Sequence, residues 1–155
     1  MNQPIQDFYP DSVAHCYGCG RLNEHGLQIK SYWDGKEAVC TFRPRPYHTA
    51  IPGYVYGGLI ASLIDCHGTG TAAAAAYSRA GREPGTEPPF RFVTGALNVW
   101  YRQPTPIDSD LELRAMVREI KGRKIIVDVT LSAQGAVCAT GEVIAFEMPR
   151  DILEG

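Results

Sequence analysis

The run Gly57-Gly58-Leu59-Ile60-Ala61-Ser62-Leu63-Ile64-Asp65-Cys66-His67-Gly68-Thr69-Gly70-Thr71, continued by Ala72 to Ala76 and Tyr77, decides how this chain folds. Leu59, Ile60, Leu63, Ile64 and His67 recur at helical spacing. The alanine run that follows is the best helix former available, and Arg79-Ala80-Gly81 closes it with a basic residue and a glycine, as a helix end should have. Everywhere else the period is two or absent. Leu27 to Tyr32 alternates as a strand, Asp34-Gly35 signals a hairpin turn, and Glu37 to Phe42 resumes the strand until Pro44 and Pro46 stop it. Residues 47–55 and 82–90 read as loops. Phe92 to Arg102, Leu111 to Arg118, Ile125 to Ser132 and Ala136 to Met148 follow as four more strands, with hairpins at Lys121-Gly122 and Gln134-Gly135. The last three form an antiparallel meander. Such a sheet has one face to bury, and the long helix is its natural cover. The expected fold class is α+β, a curved antiparallel sheet of about six strands around one central helix.

The 155 residues suit a single domain, 1–155, whose first 26 residues form a loop-rich arm with one short helical turn around Asp11 to His15. A formal charge of −2 and a pI near 6.1 give no electrostatic footprint for nucleic acid. Nor is there a polybasic segment for a membrane surface. No apolar stretch approaches the ~20 residues of a spanning helix. The five cysteines, an odd count without a secretion signal, point to a reducing, cytoplasmic setting.

Asp65 lies inside the helix, where aspartate is a poor choice and where no helix start favours its charge. Its helical neighbours Ala61, Ser62, Gly68 and Thr69 are small, so a ligand or another backbone can approach the carboxylate; a solvated polar helix face is the competing reading. Tyr56-Gly57-Gly58 opens the helix and leaves backbone N–H groups free to hold a carbonyl oxygen and the oxyanion it becomes. A glycine-rich turn packed on a sheet reads the same way. Gly57 and Asp65 are roughly 12 Å apart along one helix at 1.5 Å per residue. They cannot both touch one reacting carbonyl within one chain, so a mechanism that uses both requires a two-fold dimer.

The segment Gly53-Tyr54-Val55-Tyr56-Gly57-Gly58, followed after six intervening residues by Asp65, resembles the signature of hotdog-fold acyl-CoA thioesterases of the phenylacetyl-CoA type. Cys16-Tyr17-Gly18-Cys19-Gly20 with Asn23 and Gly26-Leu27 resembles the lead-in of one branch of that superfamily, and Thr94 to Pro106 its strand after the helix. The resemblance implies hydrolysis of an acyl-CoA to free acid and coenzyme A, with Asp65 as general base or nucleophile. It implies that the Gly57 N–H polarises the carbonyl and that Thr94 contacts the carboxylate or the water. It also implies a dimer or dimer of dimers, with coenzyme A present only as part of the substrate and no separate cofactor. Two positions depart from the family pattern: Tyr56 replaces a histidine, and Ala50 a loop amide beside His48 and Thr49. These departures motivate one alternative, a non-catalytic acyl-CoA or small-ligand binding protein on the same fold. A third reading, a hotdog dehydratase or hydratase, is disfavoured because its histidine is missing from the expected place.

Other signals are weaker. Cys16 and Cys19 lack a second cysteine pair, and His15 and His25 fit no zinc-finger spacing, so the pair reads as a structural turn with no metal assigned. Cys66 and His67 point about 100° apart on a helix and make no catalytic pair. His48 borders the expected site, where a loop histidine bonded to backbone is the plainer reading. Lys121, Arg123 and Lys124 at a hairpin suit the phosphates of coenzyme A, as do Arg91 and Arg102, and a solvated tip explains the hairpin equally well. The tyrosines and Trp100 are candidates for an acyl pocket.

Overall fold

The computed structural model describes residues 2–154. The long helix, α1, spans Gly57–Arg79. The strands are β1 (Tyr32–Trp33), β2 (Glu37–Phe42), β3 (Phe92–Tyr101), β4 (Leu111–Lys121), β5 (Lys124–Ala133) and β6 (Ala136–Glu147). They form a six-stranded antiparallel sheet in the order β1-β2-β4-β5-β6-β3. The sheet curves around α1, which packs on β2, β3, β4, β5 and β6. This is the hotdog arrangement expected from the resemblance. The hairpin glycines do the work their positions predict. Gln134 and Gly135 both take positive φ, 53° and 79°, as a two-residue turn between right-twisted strands requires.

From Cys66 to Ala75 every residue of α1 is buried, so this part of the helix has no solvent side. Small residues make that possible. A Cβ on Gly68 would stand 2.5 Å from a Val143 methyl, and one on Gly70 2.8 Å from Gln6 Nε2. His67 is the large polar group on this segment, and it is fully paired. Its Nε2 donates to the Ala38 carbonyl (3.0 Å), so Nδ1 accepts from the Ser31 hydroxyl (2.8 Å). Ser31 in turn accepts from Gln6 Nε2 (3.0 Å) and donates its N–H to Gln6 Oε1 (2.8 Å). Burial lowers the His67 pKa to about 4, so the ring is neutral near neutral pH.

The N-terminal arm differs from expectation in one respect and corrects a strand. It contributes Ile5, Tyr9, Ala14 and Cys19 to the core, through two short turns at Ile5–Phe8 and Asp11–Val13. The strand expected over Leu27 to Tyr32 is reduced to Tyr32–Trp33. The reason is competition for its backbone. Leu27 N–H donates to Tyr17 O (2.8 Å), Ile29 N–H to Gly18 O (3.0 Å), and Ser31 O accepts from Ile5 N–H (2.9 Å). The alternating residues are bonded to the arm rather than to β2, and Gln28 takes φ 57°, which no strand residue does.

The close approach of α1 to β6 makes a test of the packing. Gly68→Ala raises helix propensity yet should lower stability by about 1–3 kcal/mol through overpacking against Val143. Denaturant midpoints should show the loss, and Val143→Ala on the same chain should recover much of it. An unchanged Gly68→Ala midpoint would contradict the packing described.

Candidate active site

Asp65 sits where the buried segment of α1 meets the outer strand β3, and its carboxylate is half-buried. The Thr94 hydroxyl, from β3, donates to Asp65 Oδ1. A bulge aims that hydroxyl. The β3–β6 register shifts between Thr94 and Ala96, leaving Gly95 as the extra residue. The Phe146 ring lies over it, within 2.3 Å of a Cβ built on Gly95, so a larger residue there would have to displace that ring. Burial pushes the Asp65 carboxyl above the usual carboxylate range; the Thr94 hydrogen bond pulls it partly back, the Cys16 sulfur adds to the rise and the Arg91 guanidinium opposes it.

The other half of the expected site is the start of α1. Tyr56 is its N-cap residue and places no side-chain oxygen on the first-turn N–H groups. The Gly57 and Gly58 N–H groups precede the first intrahelical bond, so they are donors available to a ligand. Tyr101, near the end of β3, donates its hydroxyl to Gly57 O (2.7 Å), and its ring lies where a Cβ on Gly57 would be 3.3 Å from Oη. The Tyr56 ring covers Gly58, 2.4 Å from a Cβ built there. Beside these glycines is an open groove of about 590 Å³, lined by Ala50, Ile51, Tyr54, Ile60, Tyr101 and Arg102 among others. That volume suits a small-molecule site. Two further hollows, of about 470 and 300 Å³, lie around the C-terminal half of α1 and include neither Asp65 nor Gly57.

The remaining candidates fall into place around these two poles. His48 turns its ring to Phe42 and Tyr47 and accepts the Arg45 N–H at Nδ1 (2.9 Å). Burial and the Arg45 charge lower its pKa. Its carbonyl holds the Tyr56 N–H (3.0 Å), so within one protomer it positions the helix start through its backbone. Arg123 and Lys124 stand at the β4–β5 turn, next to the hollow that Gly122 shares with Arg79 and Ala80 at the far end of α1 from Gly57. One protomer therefore brings Asp65 and Thr94 together, and Tyr56, Gly57 and Gly58 together, but not these pairs with each other or with the hairpin. Arg91 is buried, donates to Phe92 O (2.7 Å) and lies over the Tyr9 ring. Arg102 stays exposed on the groove.

Tyr101 was legible only as one tyrosine among eight; its contact with Gly57 spans 44 residues of sequence. The structure also adds a third thiol to the Cys16 and Cys19 pair, that of Cys66, and the three sulfurs lie within 4.8 Å of one another.

Comparison with known proteins agrees with this architecture. The sequence model of the family described as Thioesterase superfamily matches residues 52–139, more than half of the chain. The crystal structure of a thioesterase superfamily protein from Shewanella loihica PV-4 is 47% identical, with a TM-score of 0.67, and the match covers 90% of this chain and 98% of that one. The Escherichia coli PaaI protein of the phenylacetic acid degradation operon has the same fold, with a TM-score of 0.61, 19% identity and coverage of 79% and 81%. The acyl-coenzyme A thioesterase THEM4 of Rattus norvegicus is 31% identical over 98 residues, 63% of this chain and 36% of that protein. The chain thus matches about a third of the length of such curated relatives.

The Asp65–Thr94 contact carries a direct expectation. Because the hydrogen bond favours the charged carboxylate, Thr94→Val should raise the Asp65 pKa further. Carboxyl-carbon NMR titration of the two proteins reads the shift; an unchanged or lower value would show that the hydroxyl does not serve the carboxylate.

Proposed function

This chain belongs to the thioesterase superfamily, and on that footing we propose that it hydrolyses an acyl-CoA thioester at a site completed by a second copy of itself. The observation that carries the reading is the course of β3. Its Thr94 end lies at Asp65 and its Tyr101 end at Gly57, and its outer edge bonds to no strand among the described residues. An antiparallel two-fold pairing of β3 with its copy, centred between Leu97 and Asn98, sets the Thr94 end of one protomer against the Tyr101 end of the other. Asp65 of one chain then faces Gly57 of its partner, which the roughly 12 Å separation within one helix forbids in a single chain. Exposed Val93, Trp100 and Tyr101 on this strand supply apolar surface for that contact.

In the proposed reaction the thioester carbonyl oxygen accepts from the Gly57 N–H at the positive end of α1. Asp65, held by Thr94, takes a proton from a water that attacks the carbonyl carbon, or attacks it directly. The C–S bond breaks, coenzyme A leaves as thiolate, and the acid is released once water has supplied its oxygen. Arg102 on the groove, with Arg123 and Lys124, are the cations suited to the nucleotide phosphates. Tyr56 replaces the family's histidine with a neutral hydroxyl donor.

Thiol release from a panel of short, long and aromatic acyl-CoAs tests this reading. Asp65→Asn should lower kcat at least about a hundredfold with the fold intact. Gly57→Pro deletes the N–H at a position where proline suits a helix, and should lose at least about a hundredfold, whereas Gly57→Ala keeps the donor and should lose far less. Mixed dimers of Asp65→Asn with Gly57→Pro contain one intact site, so random reassociation should restore about a quarter of wild-type activity. No rescue would refute the shared site. Acyl-CoA binding without thiol release by the wild type would assign the fold a binding role instead.

A further inference from the structure

Cys16, Cys19 and Cys66 play no part in that chemistry, yet the fold converges them. Cys16 and Cys19 come from the loop of the arm and Cys66 from α1, immediately after Asp65. All three sulfurs lie within 4.8 Å of one another, and Cys16 and Cys66 are 3.9 Å apart. Zinc–sulfur bonds of 2.3 Å at tetrahedral angles place sulfurs about 3.8 Å apart. The loop is shaped to allow this. Gly18 lies against Cys66, where a Cβ would stand 2.3 Å from its sulfur, and Gly20 closes on the Ala14 carbonyl and the Cys16 nitrogen, 2.5 and 2.4 Å from a Cβ built on it.

We propose that Cys16, Cys19 and Cys66 form a three-thiolate site for a soft divalent cation of the zinc class, which fastens the N-terminal arm to α1 behind the catalytic carboxylate. Binding one cation by three thiols releases three protons and leaves a complex of charge −1. The buried Arg91 guanidinium, 4.2 Å from the centroid of the Tyr9 ring, is the nearby cation that offsets it. The Tyr9 hydroxyl beside the cluster is buried without a hydrogen-bond partner among the described residues. A bound cation deprotonates its thiols outright. Cys16 is the partly exposed member, so a fourth ligand from solvent would reach a bound cation from its side. Asp65 is not in the ligand set and stays free.

The test reads metal rather than turnover, so it stands or falls separately from the hydrolase reading. Full-length protein, purified with reductant and without chelator, is assayed by elemental analysis, then stripped and titrated with zinc and with cobalt. The expected result is one zinc per chain and thiolate-to-cobalt charge-transfer bands on cobalt loading. Cys138→Ser, a buried cysteine elsewhere, should keep both. Cys66→Ser should weaken zinc binding more than about a hundredfold, beyond the usual cost of losing an outer-shell partner. Cys16→Ser, at the partly exposed position, should do the same and carries the test if the buried variant fails to fold. No metal on purification and no uptake by the reduced protein would overturn the site. So would a Cys16–Cys66 disulfide in its place, or zinc binding undiminished in Cys16→Ser.

Discussion

The buried stretch of α1 from Cys66 to Ala75 is the constraint on which the rest of the structure depends. A helix with no solvent face must be enclosed on all sides, and a curved sheet cannot close around it alone. The N-terminal arm completes the enclosure, which is why Ile5, Gln6 and Tyr9 are buried although they lie in a loop-rich segment. It also explains the small residues. Gly68 and Gly70 let β6 and the arm approach the helix axis, and the one large polar side chain, His67, is tolerated because both ring nitrogens are bonded.

The candidate site sits at the margins of that enclosure. Asp65 is the last residue before the fully buried segment, close enough to the core for its carboxyl to be raised and close enough to β3 to accept from Thr94. The start of α1, about two turns away, emerges with its N–H groups uncapped. The strand linking the two regions is the long edge strand of the sheet, and its outer side bonds to no other strand among the described residues. An exposed ten-residue edge is a liability in a lone chain. It is an asset if a second copy pairs with it, because the same pairing hides the edge and completes the site.

Much of this was legible in the sequence because it rests on local periodicity. The helix, five of the six strands and both long hairpins follow from spacing and turn residues, and the segment from Gly53 to Asp65 carried the family. What was not legible was non-local. The alternation of Leu27 to Tyr32 is real, but periodicity cannot say whether a backbone bonds to a strand or to an arm folded back from upstream. The contact of Tyr101 with Gly57 needs the whole crossover to be in place. Cys66 reads as an ordinary buried helix residue until the arm delivers Cys16 and Cys19 to it.

Adjacent residues on a helix point about 100° apart, and α1 uses that angle at Asp65 and Cys66. One carboxylate faces the outer strand; the neighbouring sulfur faces the arm. The two cannot move independently, since they share a turn of backbone locked by close packing on both sides. Whatever sets the arm against Cys66 therefore sets the position of Asp65 relative to Thr94. A cation at the sulfurs would act on the carboxylate as a mechanical support from behind, and the arm, remote in sequence from the reacting groups, would become part of what holds them in place.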